Sequence, residues 1–223
     1  MDNRLEVGGV TLDRPEALAS AQTYLRGVGG YGYPAYDGYC AGGDSDRLSD
    51  GDLLAPGLLN VPVKLDAFYE LQGVRTEIER RLRPLPLDLG LQDAGEGTIE
   101  ALGNLFALVD DGIPGVRGTI FAKIVHRKRP ALVPLYDKFV WRTYVEAPGS
   151  TIKRSRSRSW REFVPLLAAE MRRDLRRDPD FFDAVVQSSG TAVSITRLRA
   201  LDIVAWQAGK QVHSLKHPTV AVD

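Results

Sequence analysis

The sequence predicts a mostly α-helical protein, and three observations carry that expectation. Apolar residues recur at intervals of three and four over several long windows. Those windows end at Pro, Gly or a capping side chain. Candidate strands are scarce. A chain of 223 residues, 43% hydrophobic and 26% charged, has the composition of an ordinary globular protein large enough for one substantial core. The expected organisation is a single helical domain over residues 1–208. A C-terminal tail, 209–223, shows no periodicity and is expected to be flexible.

The elements follow in order. RPEALASAQTYLR, residues 14–26, reads as a helix: Pro15 suits a first turn, and Leu18, Ala21 and Leu25 recur at helical spacing. The following stretch is too rich in Gly for a helix or a regular strand. It carries Tyr31, Tyr33, Tyr36 and Tyr39 within nine residues, which either stack on bases or line a pocket, or else cover a neighbouring helix. Asp44, Asp46, Asp50 and Asp52 lack the Gly and Glu spacing of a calcium loop. A helix starting near Asp52 with Ser49 or Asp50 as its cap accounts for them. Residues 63–83 form a long amphipathic helix on Leu65, Phe68, Leu71, Val74 and Ile78, stopped by Pro84 and Pro86. Residues 98–110 make a mostly apolar, central helix with Thr98 as the expected cap. Further helices are expected at 119–128, after Asp137, at 160–177 with a basic C-terminal end, briefly near 180, and at 194–207. The last of these has a core stripe of Ile195, Leu198, Leu201, Ile203 and Trp206.

Composition removes several function classes. With Cys40 as the lone cysteine and three His, an internal disulfide is ruled out and neither a structural zinc site nor any other metal site is expected. No cofactor motif is present. No apolar run approaches the roughly 20 residues of a membrane span, and MDNRLEVGGVTLDRPEALAS has no basic segment followed by an apolar one. A cytoplasmic protein with no membrane partner is expected. The formal charge is zero, yet residues 1–111 hold 9 Lys and Arg against 19 Asp and Glu, and the remaining residues hold 20 against 10. Either the two halves attract each other, or the basic half meets an anionic partner. Between Lys153 and Ser159, Arg and Ser alternate in a basic connector that is disordered or tracks a groove.

The stretch that carries the most chemistry is IPGVRGTIFAKIVHRKRPALVPLYDKFVWR, residues 113–142. Pro114, Gly115 and Gly118 bracket a tight turn between two helices, and such a turn aims backbone N–H groups outward, where a phosphate can bind. Arg117, Lys123, Arg127, Lys128 and Arg129 are all basic, with no acid among them. On a helix whose buried stripe is Ile120, Phe121, Ile124 and Val125, the cations are expected to gather along one edge. Asp137, in PLYDKFVWR, is a preferred N-cap residue. It is also a candidate carboxylate for stabilising positive charge.

IPGVRGTIFAKIV resembles the hairpin of the helix-hairpin-helix DNA glycosylase superfamily, and the resemblance covers roughly 30 residues, about an eighth of the chain. It implies a two-lobed helical bundle with the hairpin at 104–129. It implies nucleic-acid contact, principally DNA, through Gly115, Arg117, Gly118, Lys123, Arg127, Lys128 and Arg129. It also places Asp137 where that superfamily keeps its catalytic aspartate, so a monofunctional base-excision hydrolase is the enzymatic expectation. The pattern departs in two respects. Arg117 replaces the second turn glycine. The positions matching the nucleophilic lysine of bifunctional members are Thr119 and Ile120, with Lys123 about one turn later, which disfavours lyase activity. HRKRPALVPLYD is also similar to segments of uncharacterised proteins of high-GC actinobacteria. A protein-interaction module whose basic half binds an acidic partner is the expectation from a different class.

Overall fold

The structure is a computed structural model that describes residues 3–27, 30–39, 44–190 and 193–216, with side chains to His213. It is mostly helical, with nine α-helices among the described residues. The chain opens on a two-stranded antiparallel hairpin, β1 (Arg4–Val7) and β2 (Val10–Asp13), in which Leu5 faces Leu12 and Val7 faces Val10. Nothing in the sequence analysis anticipates these strands. Their signal is an alternation of Leu and Val about Gly8-Gly9, with Gly8 at φ 58° as such a turn requires.

Asp13 then caps α1 (Arg14–Leu25) by accepting the Glu16 N–H. Ser49 caps α2 (Asp50–Leu54) in a reciprocal box with Asp52, so the cap falls on Ser49 and the helix starts at Asp50. The long helix α3 (Leu65–Leu82) forms as the periodicity predicts. The helix α4 (Glu96–Asp110) begins two residues before its expected cap. Gly95 takes the cap position and Thr98 lies inside the first turn. An extended glycine opens the helix without any side-chain acceptor.

A turn at 111–117 leads to α5 (Gly118–His126), and α6 (Lys138–Trp141) follows Asp137 and runs into a π-turn, Arg142–Glu146. Asp110 reaches across to start α7 (Trp160–Arg177), where its carboxylate accepts the Trp160 and Arg161 N–H groups at 2.7 and 2.9 Å. Ser159 and Glu162 complete that cap, so the amide groups orphaned at the helix start have acceptors. Then come α8 (Pro179–Gln187) and α9 (Arg197–Lys216).

The core lies between these helices. Phe106 of α4 meets Phe121 of α5 edge to face, with ring centroids 5.2 Å apart. Gly103 lets α4 approach α7 so closely that a Cβ there would stand 2.6 Å from the Arg161 carbonyl oxygen. Helix α9 is buried nearly all round, through Leu198, Ala200, Leu201, Val204, Ala205 and Ala208. It continues well beyond residue 207, where the sequence analysis ends its helix, and Gly209 lies directly on the Phe139 carbonyl of α6. Packing holds a stretch that periodicity alone leaves unassigned. Residues 217–223, with His217, lie outside the described residues, as does Cys40.

Candidate functional site

Helix α9 buries two of its charged side chains, Arg199 and Asp202, among the apolar residues of the core. Arg199 is 3% exposed and Asp202 6%, and side chains of that kind stay buried only when paired. The Arg199 guanidinium donates to Asp37 (2.7 Å), to the Tyr24 hydroxyl (2.8 Å) and to Asp202. Burial pushes the Asp202 carboxyl up to about 6 despite the Arg199 charge beside it, and Asp137 adds to the rise. Lys123 of α5 faces the same interior. Its ammonium reaches the Tyr136 carbonyl at 3.4 Å, and burial holds its pKa below the usual lysine range, with Asp137 and Asp202 opposing that effect.

These groups converge on a cavity of about 230 Å³ lined by Lys123, Asp137, Arg199 and Asp202, with Tyr24, Tyr31, Tyr136 and Trp206 among its walls. Tyr24 and Tyr31 stack with centroids 4.8 Å apart, and Trp206 meets both edge on. The lining therefore combines aromatic rings with two carboxylates and two cations.

Asp137 does two things at once. Its Oδ1 accepts the Phe139 and Val140 N–H groups at 2.8 and 3.0 Å, which caps α6. Both bonds end on that one oxygen, and the residue also lines the cavity. The same capping bonds fix the carboxylate's orientation. A cap and a functional carboxylate are compatible at this position.

The other expected contacts are distributed differently. Gly115 lies in the exposed turn at φ 73°, where only glycine is unstrained, and a Cβ would meet Ala67 of α3 at 2.9 Å. Arg117 is exposed at the start of α5. Gly118 is buried beneath Trp160, whose ring a Cβ would strike at 2.2 Å. The expected basic edge is not on the surface. Lys123 turns into the cavity at 4% exposure and Arg129 is 1% exposed. Arg129 donates to the carbonyls of Leu85 and Ser45 and to Asp46. Lys128 pairs with buried Asp52 at 2.7 Å, and Arg127 donates to the carbonyls of Tyr36 and Tyr39. The acids at 46–52 are counterions for 127–129, so at this point the two halves of opposite charge attract each other. Helical spacing places these cations on one edge but does not indicate what covers that edge.

Sequence reasoning missed Tyr24, Tyr136, Arg199, Asp202 and the cavity role of Trp206. The available signal was RLRALD, in which Arg199 and Asp202 interrupt an apolar helix three residues apart. The tyrosine loop divides between its two expected roles. Tyr31 lines the cavity, whereas the buried Tyr33 and Tyr36 donate their hydroxyls to the carbonyls of Val193 and Lys123. His126 is also buried; its Nδ1 donates to the Val133 carbonyl at 2.7 Å.

Among the described residues no group of His, Cys, Asp and Glu is arranged to hold a metal, and no helix is long and apolar enough to cross a membrane. No curated protein and no solved structure matches the chain. A family model does match, over residues 17–209, which takes in most of α1, the tyrosine loop, Lys123, Asp137 and α9 as far as Gly209; the chain belongs to DUF6308, a family of unknown function.

Proposed function

We propose that this protein is a nucleic-acid-directed hydrolase that cleaves the bond between a base and its sugar, with Asp137 as the working carboxylate. The observation that carries this reading is the meeting of Asp137 with aromatic walls in one cavity. A base turned out of its strand could lie against Tyr31 and Trp206, held by stacking that tolerates any base. Asp137, with Oδ1 fixed by two N–H groups, would present Oδ2 to the sugar as positive charge grows at its anomeric carbon. The bonding pair leaves with the base, a proton reaches the base, and water adds to the sugar. Asp202, pushed up to about 6, is a nearby carboxyl able to hold that proton in mildly acidic solution.

Lys123 favours a second reading. It lies in the same cavity with its pKa lowered by burial, so a larger fraction of its amine is neutral than in an exposed lysine. A neutral amine could attack the sugar carbon in place of water, giving an imine that borohydride traps.

The test is incubation with a pool of oligonucleotides bearing modified bases, with released bases identified by mass spectrometry. The parent should release at least one base, and Asp137→Asn should do so slower by about a hundredfold or more. No release from any substrate, or equal release by Asp137→Asn, contradicts the proposal. A borohydride-trapped adduct that Lys123→Gln abolishes selects the second reading.

A further inference from the structure

Tyr136 is a wall of two cavities. Beyond the one that holds Asp137, a second, of about 170 Å³, is lined by Tyr136, Trp141, Trp160, Phe163, Ser155 and Arg158. We infer that this second cavity receives the base of an unpaired neighbouring nucleotide, with its phosphates held by the cations of 153–158, so that the ligand is a single-stranded segment spanning both cavities. This rests on the reading of the first cavity as a base site.

Three observations carry the inference. The first is ring density. Tyr136 and Trp160 have centroids 5.0 Å apart, Trp141 and Phe163 5.5 Å, and Trp160 and Phe163 5.8 Å. Such a cluster stacks on any base and reads no sequence. The second is charge. Lys153, Arg154, Arg156 and Arg158 fall within six residues with no acid among them, and the first three are exposed. The Glu146 carboxylate is no closer than 3.9 Å to Arg154, whose side chain is 68% exposed, and a contact that long to an exposed cation is weak. Arg158 donates to the Lys153 carbonyl at 2.7 Å, so the contrast with 127–129, where carboxylates and carbonyls absorb the charge, rests on the exposed Lys153, Arg154 and Arg156. Arg158 in the wall also makes the cavity unsuited to a cationic guest, so a flat ring attached to an anion fits best.

The third is position. Trp160 lies on Gly118 at the start of α5, and Asp110 ties the residues just before the 111–117 turn to the start of α7. The turn, with exposed Arg117, and the basic segment therefore adjoin the second cavity. A base paired in a duplex could not be enclosed by these rings, which is why the expected ligand is single-stranded.

The chain has three tryptophans: Trp206 in the first cavity, Trp141 and Trp160 in the second. Trp206→Phe thus leaves only reporters of the second cavity. The experiment titrates this variant with a four-residue oligothymidylate, its ribo equivalent, a duplex, and a base-free sugar-phosphate chain of the same charge. Fluorescence and anisotropy are recorded across a salt series. Saturable quenching by either single strand supports the inference, with the base-free chain binding about tenfold more weakly and without quenching. The logarithm of affinity should fall against that of salt with a slope of about −2 for three phosphates. Combined Lys153→Glu, Arg154→Glu and Arg156→Glu changes, all at exposed positions, should remove most of that slope while circular dichroism stays unchanged. Binding without quenching, equal affinity for the base-free chain, or tighter binding of the duplex overturns it. Base release by a protein whose Trp141 and Trp160 are never quenched leaves the first cavity's role standing and removes the second's. Quenching without release leaves a base bound in the second cavity and removes the hydrolase reading of the first.

Discussion

At the scale of single residues, environment decides what each titratable side chain does. His126 sits in a basic run, yet its ring is buried against Tyr36 and the Val133 carbonyl. Burial pushes its pKa down to about 4, with the Val133 bond opposing in part. In the unfolded chain it titrates near 6.5. Below that pH the unfolded state takes up a proton that the folded state refuses, so stability falls as pH drops from about 6.5 towards 4. Asp202 acts in the opposite sense. Its folded carboxyl, raised to about 6, takes up a proton before the unfolded one does, so its contribution falls as pH rises through that range. A comparison of parent and His126→Gln cancels Asp202, which titrates in both. In urea melts, the parent should lose roughly 3 kcal/mol relative to the variant between pH 7 and pH 4. Parallel curves for the two proteins would mean that His126 is accessible to water in the folded state.

At the scale of elements, the cavity depends on how closely α6 and α9 approach. Gly209 permits that approach, since a Cβ there would stand 2.0 Å from the Phe139 carbonyl oxygen. Phe139 in turn meets Trp206 edge on at 5.6 Å. Gly209→Ala gains helix propensity, worth up to about 1 kcal/mol, but must push backbone from backbone. The net expectation is a loss of about 1–3 kcal/mol of unfolding free energy, read from a lowered unfolding midpoint, with a changed Trp206 emission as α9 shifts. An unchanged midpoint would place α9 farther from α6. Most of these elements were legible: α1, α3, α7 and the start of α2 follow from spacing and caps, because such rules act within one turn of chain. The β-hairpin and the end of α9 were not. The hairpin is only eight paired residues, and the end of α9 is stabilised by contact with α6, a segment some 70 residues earlier in the sequence.

At the scale of the whole molecule, the site is assembled from six separate stretches: the end of α1, the tyrosine loop, residues 59–60, α5, residues 135–137 and α9. Asp137 drew notice because its neighbourhood resembles a known motif over contiguous residues, whereas its place in the cavity wall comes from the fold. Arg199 and Asp202 were not, because a charge on an apolar helix reveals its partners only once the chain is folded. The basic run at 127–129 shows the limit of charge counting, since its counterions at 46–52 lie some 80 residues away in sequence.

The account's central claim is that Asp137 faces positive charge developing on a sugar, and a stable mimic of that charge tests it without knowledge of the base. Two oligonucleotides would be compared for affinity, one with a cationic pyrrolidine in place of a single sugar and one with a neutral tetrahydrofuran ring there. Asp137→Asn is the matched control, since Asn caps a helix as well as Asp does. The account predicts that the parent prefers the cationic ring by about a hundredfold or more and that Asp137→Asn loses the preference with its stability intact. Equal affinity of the parent for the two rings would contradict it and leave Asp137 as the cap of α6 alone.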